Sequence, residues 1–294
     1  MYFFQNMYLA RSLSEAFALF DAHPAARWIA GGSDVLIQLR SHDSPQAELI
    51  SIQQIDALRG ISLLQDGTLQ IRPLTCFTDV SHDPVVNELL PALAFAASQV
   101  GGPQIRHIGT IGGNICNGVT SADTASTLLA YDAELEITSR SGKRQMRIHE
   151  FYLGPKKVNL APGELLTAIL IRPGSYTGYR GTYTKFSARR AMDIATLGCS
   201  VNLRLSADGS KLERLRLAYG VAAPVPIRAF QTEEKFQAAP VTPDLAAKIS
   251  QHVLAELRPR DSWRASAEYR LTLAQELTRR ALEQLLYRQE VLKA

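Results

Sequence analysis

Only three cysteines occur in the 294 residues, at Cys76, Cys116 and Cys199, 40 and 83 residues apart. No C-x-x-C pair exists, so this chain alone is not expected to build a zinc site or an iron–sulfur cluster. An odd, sparse set of this kind suits reduced thiols in a cytosol. Other signatures are missing as well. No G-x-G-x-x-G follows a strand, and Gly142-Lys143-Arg144 breaks the Walker pattern. His149-Glu150 lacks the second histidine of a zincin, and no G-x-S-x-G marks a serine hydrolase. The six histidines (His23, His42, His82, His107, His149, His252) fall at no metal-ligand spacing, so no metal site is expected. The longest apolar-rich run, residues 89–100, is far short of the roughly 20 residues of a membrane span. Met1-Tyr2-Phe3-Phe4-Gln5-Asn6 is apolar but carries no basic n-region, and Arg11 and Glu15 interrupt the next stretch. Neither a signal peptide nor a membrane span is therefore expected, and the reading is cytoplasmic.

What remains is the composition of an ordinary globular protein, 46% hydrophobic and 20% charged. Its length suits two domains. The net charge of +4 is dispersed: from Arg258 onward, eight Lys/Arg are interleaved with five Asp/Glu. That is a mixed helix face and not a phosphate-tracking stripe, so no nucleic-acid partner is expected.

Ser12-Leu13-Ser14-Glu15 reads as a capping box opening a helix to about His23. Trp28-Ile29-Ala30 reads as a strand. Residues 61–64 and 69–71 flank Gln65-Asp66-Gly67-Thr68, a hairpin signal. Residues 79–99 are helical in pattern, with breaks expected near Pro84 and Pro91. Residues 122–131 are helical, while 135–138, 145–148 and 165–171 are strand-like. Arg172-Pro173-Gly174-Ser175-Tyr176-Thr177-Gly178 is dense in turn residues and places a boundary there, giving domains 1–175 and 176–294. The second part opens with strand-like 181–186 and a meander (198–205, then 212–219). It closes with helices near 244–257 and 266–292.

Two glycine-bearing segments carry the chemistry. The first runs Arg27-Trp28-Ile29-Ala30-Gly31-Gly32-Ser33-Asp34; the second runs Gly109-Thr110-Ile111-Gly112-Gly113-Asn114 and continues through Cys116 to Asp123. Glycine leaves N–H groups accessible and permits positive φ, which anion-binding concavities use. Each segment alone is as well explained by a tight connection. Two that converge would form a cradle for a long phosphate-bearing cofactor, and Asp123 could accept hydrogen bonds from ribose hydroxyls. Cys116, with no partner cysteine nearby, reads as packing. Trp263-Arg264 reads as a cation–π pair or a docking point.

These two segments, with Lys185-Phe186-Ser187-Ala188-Arg189-Arg190-Ala191-Met192-Asp193-Ile194, residues 220–229 and Ser262-Trp263-Arg264-Ala265-Ser266, resemble the FAD-binding (medium) subunit of the molybdenum hydroxylase / xanthine dehydrogenase family. The resemblance covers nearly the whole chain. It implies an α+β fold: a two-subdomain FAD-binding domain of the vanillyl-alcohol-oxidase (PCMH) type, then a smaller β-sheet-plus-helices domain. It implies that both glycine segments wrap the FAD pyrophosphate, with Asp123 near the adenosine end. Leu165 and Leu166 would lie against the cofactor and Lys185 beside the flavin, where a cation favours an anionic reduced ring. It also implies a molybdenum-binding large subunit and a [2Fe–2S] small subunit as partners, carrying the molybdenum cofactor and the clusters, with NAD as the expected acceptor. No catalytic residue is needed on this chain, because the flavin supplies the redox chemistry. Xanthine or a related purine is the expected substrate of the complex. The alternatives are a subunit of a CO, nicotinate, aldehyde or aromatic-thioester dehydrogenase, and a flavin-free assembly scaffold. The cysteine-rich loop of some relatives is missing here.

Overall fold

In a computed structural model, residues 4–40 and 47–287 are described. The chain opens with β1 (Asn6–Leu9), α1 (Leu13–Ala22), β2 (Arg27–Ile29), α2 (Val35–Arg40) and β3 (Glu48–Ser51). Ser12 caps α1 by accepting the Glu15 N–H at 3.1 Å. The Glu15 carboxylate reaches back one residue further than a capping box, to the Arg11 N–H. The three strands form a parallel sheet ordered β1-β3-β2. Ile50 packs on one face against Phe17, Trp28 and Phe20, and Leu49 on the other against Leu39.

A second sheet is ordered β4-β5-β10-β6-β7 and is antiparallel throughout, with β4 (Ile61–Leu63), β5 (Leu69–Ile71), β6 (Glu134–Ser139), β7 (Gly142–Arg147) and β10 (Leu165–Ile171). The 61–71 hairpin forms as expected, with Gly67 at φ +78° in its turn. Every residue of β10 is buried, which is why its sequence, Leu-Leu-Thr-Ala-Ile-Leu-Ile, shows no alternation. Between β5 and β6 lie α3 (Phe77–His82), α4 (Pro84–Leu89), α5 (Pro91–Ser98), α6 (Pro103–Ile108), α7 (Ile111–Cys116) and α8 (Asp123–Ala130). The pattern over 79–99 therefore resolves into three helices, broken where Pro84 and Pro91 each start a new one. A small hairpin, β8 (Tyr152–Gly154) with β9 (Lys157–Val158), completes this half.

The C-terminal half is an antiparallel sheet of β11 (Arg180–Phe186), β12 (Leu197–Leu205), β13 (Lys211–Gly220) and β14 (Ile227–Arg228). After α9 (Phe230–Lys235), β15 (Ala239–Pro240) pairs with β13, and α10 (Leu245–His252) and α11 (Ala267–Tyr287) complete the chain's described elements. The expected 266–292 helix is α11; its last five expected residues, 288–292, lie outside the described residues. The helices cover one sheet face through Cys199, Val201, Leu203, Leu217, Ile249, Ala274 and Leu282. Because strand side chains alternate, Gly198, Ser200 and Asn202 take the opposite face. There α5 and α8 of the first half pack against β11, β12 and β13.

Candidate functional site

The two glycine segments meet. A Cβ built on Gly31 would overlap the carbonyl oxygen of Ile108, with the carbonyl carbon at 2.8 Å and Gly109 Cα at 3.3 Å. Only a residue without a side chain lets the turn after β2 lie against the α6–α7 junction. Gly109 is equally constrained: its Cβ would sit 2.9 Å from both the Ile105 carbonyl oxygen and the Phe77 ring. Gly112 backs onto Pro73, whose carbonyl oxygen would lie 2.7 Å from an added Cβ and accepts the Gly112 N–H at 2.9 Å.

The reason expected for these glycines needs correcting. The second segment is not an open turn; it is the start of α7, capped by Thr110, whose hydroxyl accepts the Gly113 N–H at 3.1 Å. Of Gly31, Gly32, Gly109, Gly112 and Gly113 only Gly32 has positive φ, +73°; Gly118, further along the second segment, has +64°. Gly31, Gly109 and Gly112 are required by close approach of the chain to itself. Gly113 differs: it is exposed, and only the Thr110 hydroxyl lies near its missing Cβ.

The donors for an anion are in the first segment. Among the described residues, the N–H groups of Gly31, Gly32, Ser33 and Asp34 donate to no acceptor in the chain. All four residues are half-buried. Unpaired main-chain donors in such a setting fit a phosphate group. Around them Gln38 links the segment to itself: its amide donates to Asp34 at 2.7 Å, and its carbonyl accepts from Arg27 at 2.8 Å. The Trp28 ring turns the other way and stacks on Phe20 at 5.2 Å, and Ile29 is buried. Ala30 is half-buried against the same cluster as Trp28. Ile111 is fully buried, and the Asn114 side-chain carbonyl accepts from the Thr124 hydroxyl at 2.7 Å, tying α7 to α8.

Asp123 does not stand open. It is buried at the start of α8; Oδ1 accepts from the Tyr183 hydroxyl at 2.7 Å and Oδ2 from Lys185 Nζ at 2.8 Å. Burial raises its proton affinity, and the Lys185 ammonium and the Tyr183 hydroxyl oppose that rise. Lys185 Nζ also donates to the Gln99 carbonyl at 2.9 Å, and its side chain is 7% exposed. Lys185 and Gln99 sit in the wall of a cavity of about 260 Å³ otherwise lined by residues 186–193. Leu165 and Leu166 are both buried, in separate clusters on opposite faces of β10. Their side chains are core, so any contact from them to a ligand is through the main chain. Cys116 is packed at the end of α7, where burial pushes its thiol up to about 12.

Sequence reasoning missed Tyr183, although its spacing of two from Lys185 puts both on one face of a strand. It also missed Gln99, whose contribution is a main-chain carbonyl and carries no side-chain signal.

The two glycine segments touch beside unpaired main-chain donors without a Rossmann turn, and the comparisons with known proteins give the family. Residues 3–173 match the FAD-binding domain in molybdopterin dehydrogenase, and residues 182–285 match the CO dehydrogenase flavoprotein C-terminal domain. The xanthine dehydrogenase FAD-binding subunit of Escherichia coli O157:H7 is 43% identical over 97% of both chains. The carbon monoxide dehydrogenase medium chain of Hydrogenophaga pseudoflava is 29% identical over 92% of this chain and 93% of that one. A solved carbon monoxide dehydrogenase from the same organism, lacking the Mo-pyranopterin moiety of its cofactor, superposes with TM-score 0.90 at 27% identity, covering 97% of this chain and 98% of that one. The protein is thus a flavoprotein of the oxidoreductase class. The chain belongs to the family of FAD-binding subunits of molybdenum hydroxylases. Among the described residues no helix is long and apolar enough to cross a membrane.

Proposed function

We propose that this chain is the electron-transfer subunit of a cytoplasmic xanthine dehydrogenase-like enzyme. Electrons would reach it from a [2Fe–2S] small subunit after substrate oxidation on a molybdenum-binding large subunit, and would leave to NAD+ or another acceptor. Similarity to the xanthine dehydrogenase subunit, well above that to the carbon monoxide dehydrogenase chain, supports the purine assignment. A division at 175/176, between the two matched spans, is part of the same reading.

The observation that carries it is the contact of the two glycine segments beside four unpaired N–H groups. In this reading Gly31, Gly32, Ser33 and Asp34 hold the pyrophosphate from one side, and Thr110, Gly113 and Asn114 border it from the other. FAD, when bound, supplies the two-electron chemistry. The chain's own part is to bind, to orient and to set the local charge. Asp123 has both oxygens engaged inside the protein, so it takes a smaller share of ribose binding than its carboxylate alone suggests.

Purified protein should absorb near about 370 and 450 nm, as oxidised flavins do, and should release FAD on denaturation. Co-purification with a molybdenum-containing and an iron–sulfur subunit, with xanthine reducing the complex, tests the rest. A colourless chain that takes up no FAD would refute the cradle; a complex reduced by a different substrate would refute the purine assignment alone.

A further inference from the structure

The Lys185–Asp123 pair spans the two halves of the chain, and it has a third member, Tyr183, with no task in binding the cofactor. Tyr183 and Lys185 both rise from β11 toward α8, and Asp123 receives one hydrogen bond from each. The assembly is buried except where Lys185 meets the cavity. The Asp123 and Lys185 side chains are each 7% exposed, and Tyr183 is buried. On the neighbouring strand Gly198 leaves room for the phenol, since a Cβ there would lie 3.0 Å from the Tyr183 hydroxyl. The Gln99 carbonyl fixes the ammonium from the cavity side.

A buried ion pair of this kind contributes little net stability relative to an apolar replacement of equal volume. Keeping one at the wall of the cavity therefore calls for a reason other than folding. A lysine tethered only by its four-carbon stem would move freely. Here two acceptors, the Gln99 carbonyl and the phenol-braced Asp123 carboxylate, hold Nζ to one place, and the carboxylate cancels its charge.

We propose that Asp123 and Tyr183 are positioning residues that act through Lys185, holding its ammonium at the cavity wall and offsetting its charge so as to set the reduction potential of the bound flavin. The proposal rests on the proposed function, in which the flavin ring lies beside Lys185. It makes a signed statement. Removing the cation leaves a site poorer in positive charge and disfavours the more negative reduced ring. Removing the anion leaves Lys185 uncompensated and favours it.

The test is potentiometric titration of the purified, FAD-loaded protein. Lys185→Met should lower, and Asp123→Asn raise, the equilibrium constant for flavin reduction by about tenfold each, close to 30 mV for a two-electron couple. The double variant should return near the wild-type potential. Tyr183→Phe keeps both charges but loosens the carboxylate, and should shift the potential in the direction of Asp123→Asn by a smaller factor. A merely structural role would lower the melting temperature in all four variants without giving opposite signs of potential shift. Shifts of the same sign, or unchanged potentials at full FAD occupancy, would overturn the proposal. So would loss of FAD from a folded Asp123→Asn protein, which would make the carboxylate a direct ligand. If Asp123→Asn or Lys185→Met does not fold, Tyr183→Phe decides the matter by itself. A wild-type chain without FAD would sink the functional reading and the proposal together, whereas the other adverse outcomes sink the proposal alone.

Discussion

Gly31 and Gly113 look alike in sequence but should differ in their response to a single added methyl. A Cβ on Gly31 enters the space of the Ile108 carbonyl, whose carbon would be 2.8 Å away, with Gly109 Cα at 3.3 Å. Both neighbours are main chain, so relief requires moving the turn after β2 off the α6–α7 junction. Overpacking that displaces backbone costs about 1–3 kcal/mol. At roughly 2–4 °C per kcal/mol for a domain of this size, Gly31→Ala should lower the melting temperature by several degrees. It should weaken FAD binding as well, because the two halves of the cradle separate. Gly113 is exposed and helical, and its Cβ would meet only the Thr110 hydroxyl, at 2.9 Å. Alanine gains about 0.5–1 kcal/mol over glycine inside a helix. Crowding of the Thr110 cap, itself worth about 1 kcal/mol, offsets that gain. Gly113→Ala should therefore leave the melting temperature of the flavin-free protein within a degree or two, and Gly113→Val should reduce bound FAD while the fold persists. Differential scanning fluorimetry with and without FAD, beside flavin absorbance per chain, reads both quantities. Unchanged stability in Gly31→Ala would refute the contact between the segments. Full FAD occupancy in Gly113→Val would remove α7 from the cofactor site.

Three other outcomes are expected from the surrounding structure. Arg270 is buried and donates to the carbonyls of Thr196, Arg260 and Ala265 and to the Ser262 hydroxyl. Arg270→Leu strips the Thr196 and Arg260 carbonyls of this donor, while the Ala265 carbonyl and the Ser262 hydroxyl keep the Ser262 and Arg264 N–H groups. It should cost on the order of 2–4 kcal/mol in urea unfolding, with an unchanged midpoint refuting the anchor. Glu164 is held below the usual carboxylate range by its two-pronged bond from Arg144, helped by the Ala161 N–H. Because the folded pKa is depressed, its stabilisation is full above the unfolded value of about 4.3 and is lost as pH falls through the folded value. Stability should thus drop less steeply below pH ~4 in Glu164→Gln, as urea midpoints along a pH series would show. Burial of Cys199 pushes its thiol up to about 12, leaving a thiolate fraction on the order of one in 10⁴ at pH ~8. Iodoacetamide should label it only after the C-terminal sheet unfolds, and rapid labelling in the native protein would contradict its packing.

Much of the fold was legible because local signals agreed with tertiary demand. The Ser12 cap, the Asp66-Gly67 hairpin and the breaks at Pro84 and Pro91 all fall where backbone chemistry places them. The adjacency of the glycine segments was inferred from their pairing and their resemblance to a family, not from periodicity. What could not be read was the reason for each glycine. Sequence shows that a side chain is missing; it does not show whether a ligand or another strand of the same protein fills the space. Gly112 lies against Pro73, some forty residues earlier, and no local pattern links the two. The engagement of Asp123 was hidden for the same reason, since its partners come from β11, about sixty residues further on. The apolar run of β10 marked Leu165 and Leu166 as buried but left open which face each side chain would take.

That long-range pairing also explains why the C-terminal half belongs to the site at all. The first half supplies the unpaired N–H groups and Asp123, and a buried carboxylate without partners is a costly arrangement. Lys185 and Tyr183 come from β11 to satisfy it. The same sheet also meets the glycine-rich connection further along: the Thr120 hydroxyl donates to the Ala223 carbonyl at 3.0 Å, and the Val221 N–H donates to the Thr120 carbonyl at 3.0 Å. At the far edge Arg228 joins Asp132 of the first half to Glu233 of the second, at 2.8 and 2.7 Å. The interface carries polar links at each of these places, and α5 and α8 present alanine, serine and threonine that let the backbones approach closely. Two halves so joined fix where β11 stands relative to the cradle. A change in that relation would alter the surroundings of Lys185 before it altered the N–H donors of residues 31–34. Weakening the Arg228 link, by Arg228→Met, should therefore disturb flavin potential at FAD occupancies that remain high, and the reverse order of loss would mean that the halves support the cofactor independently.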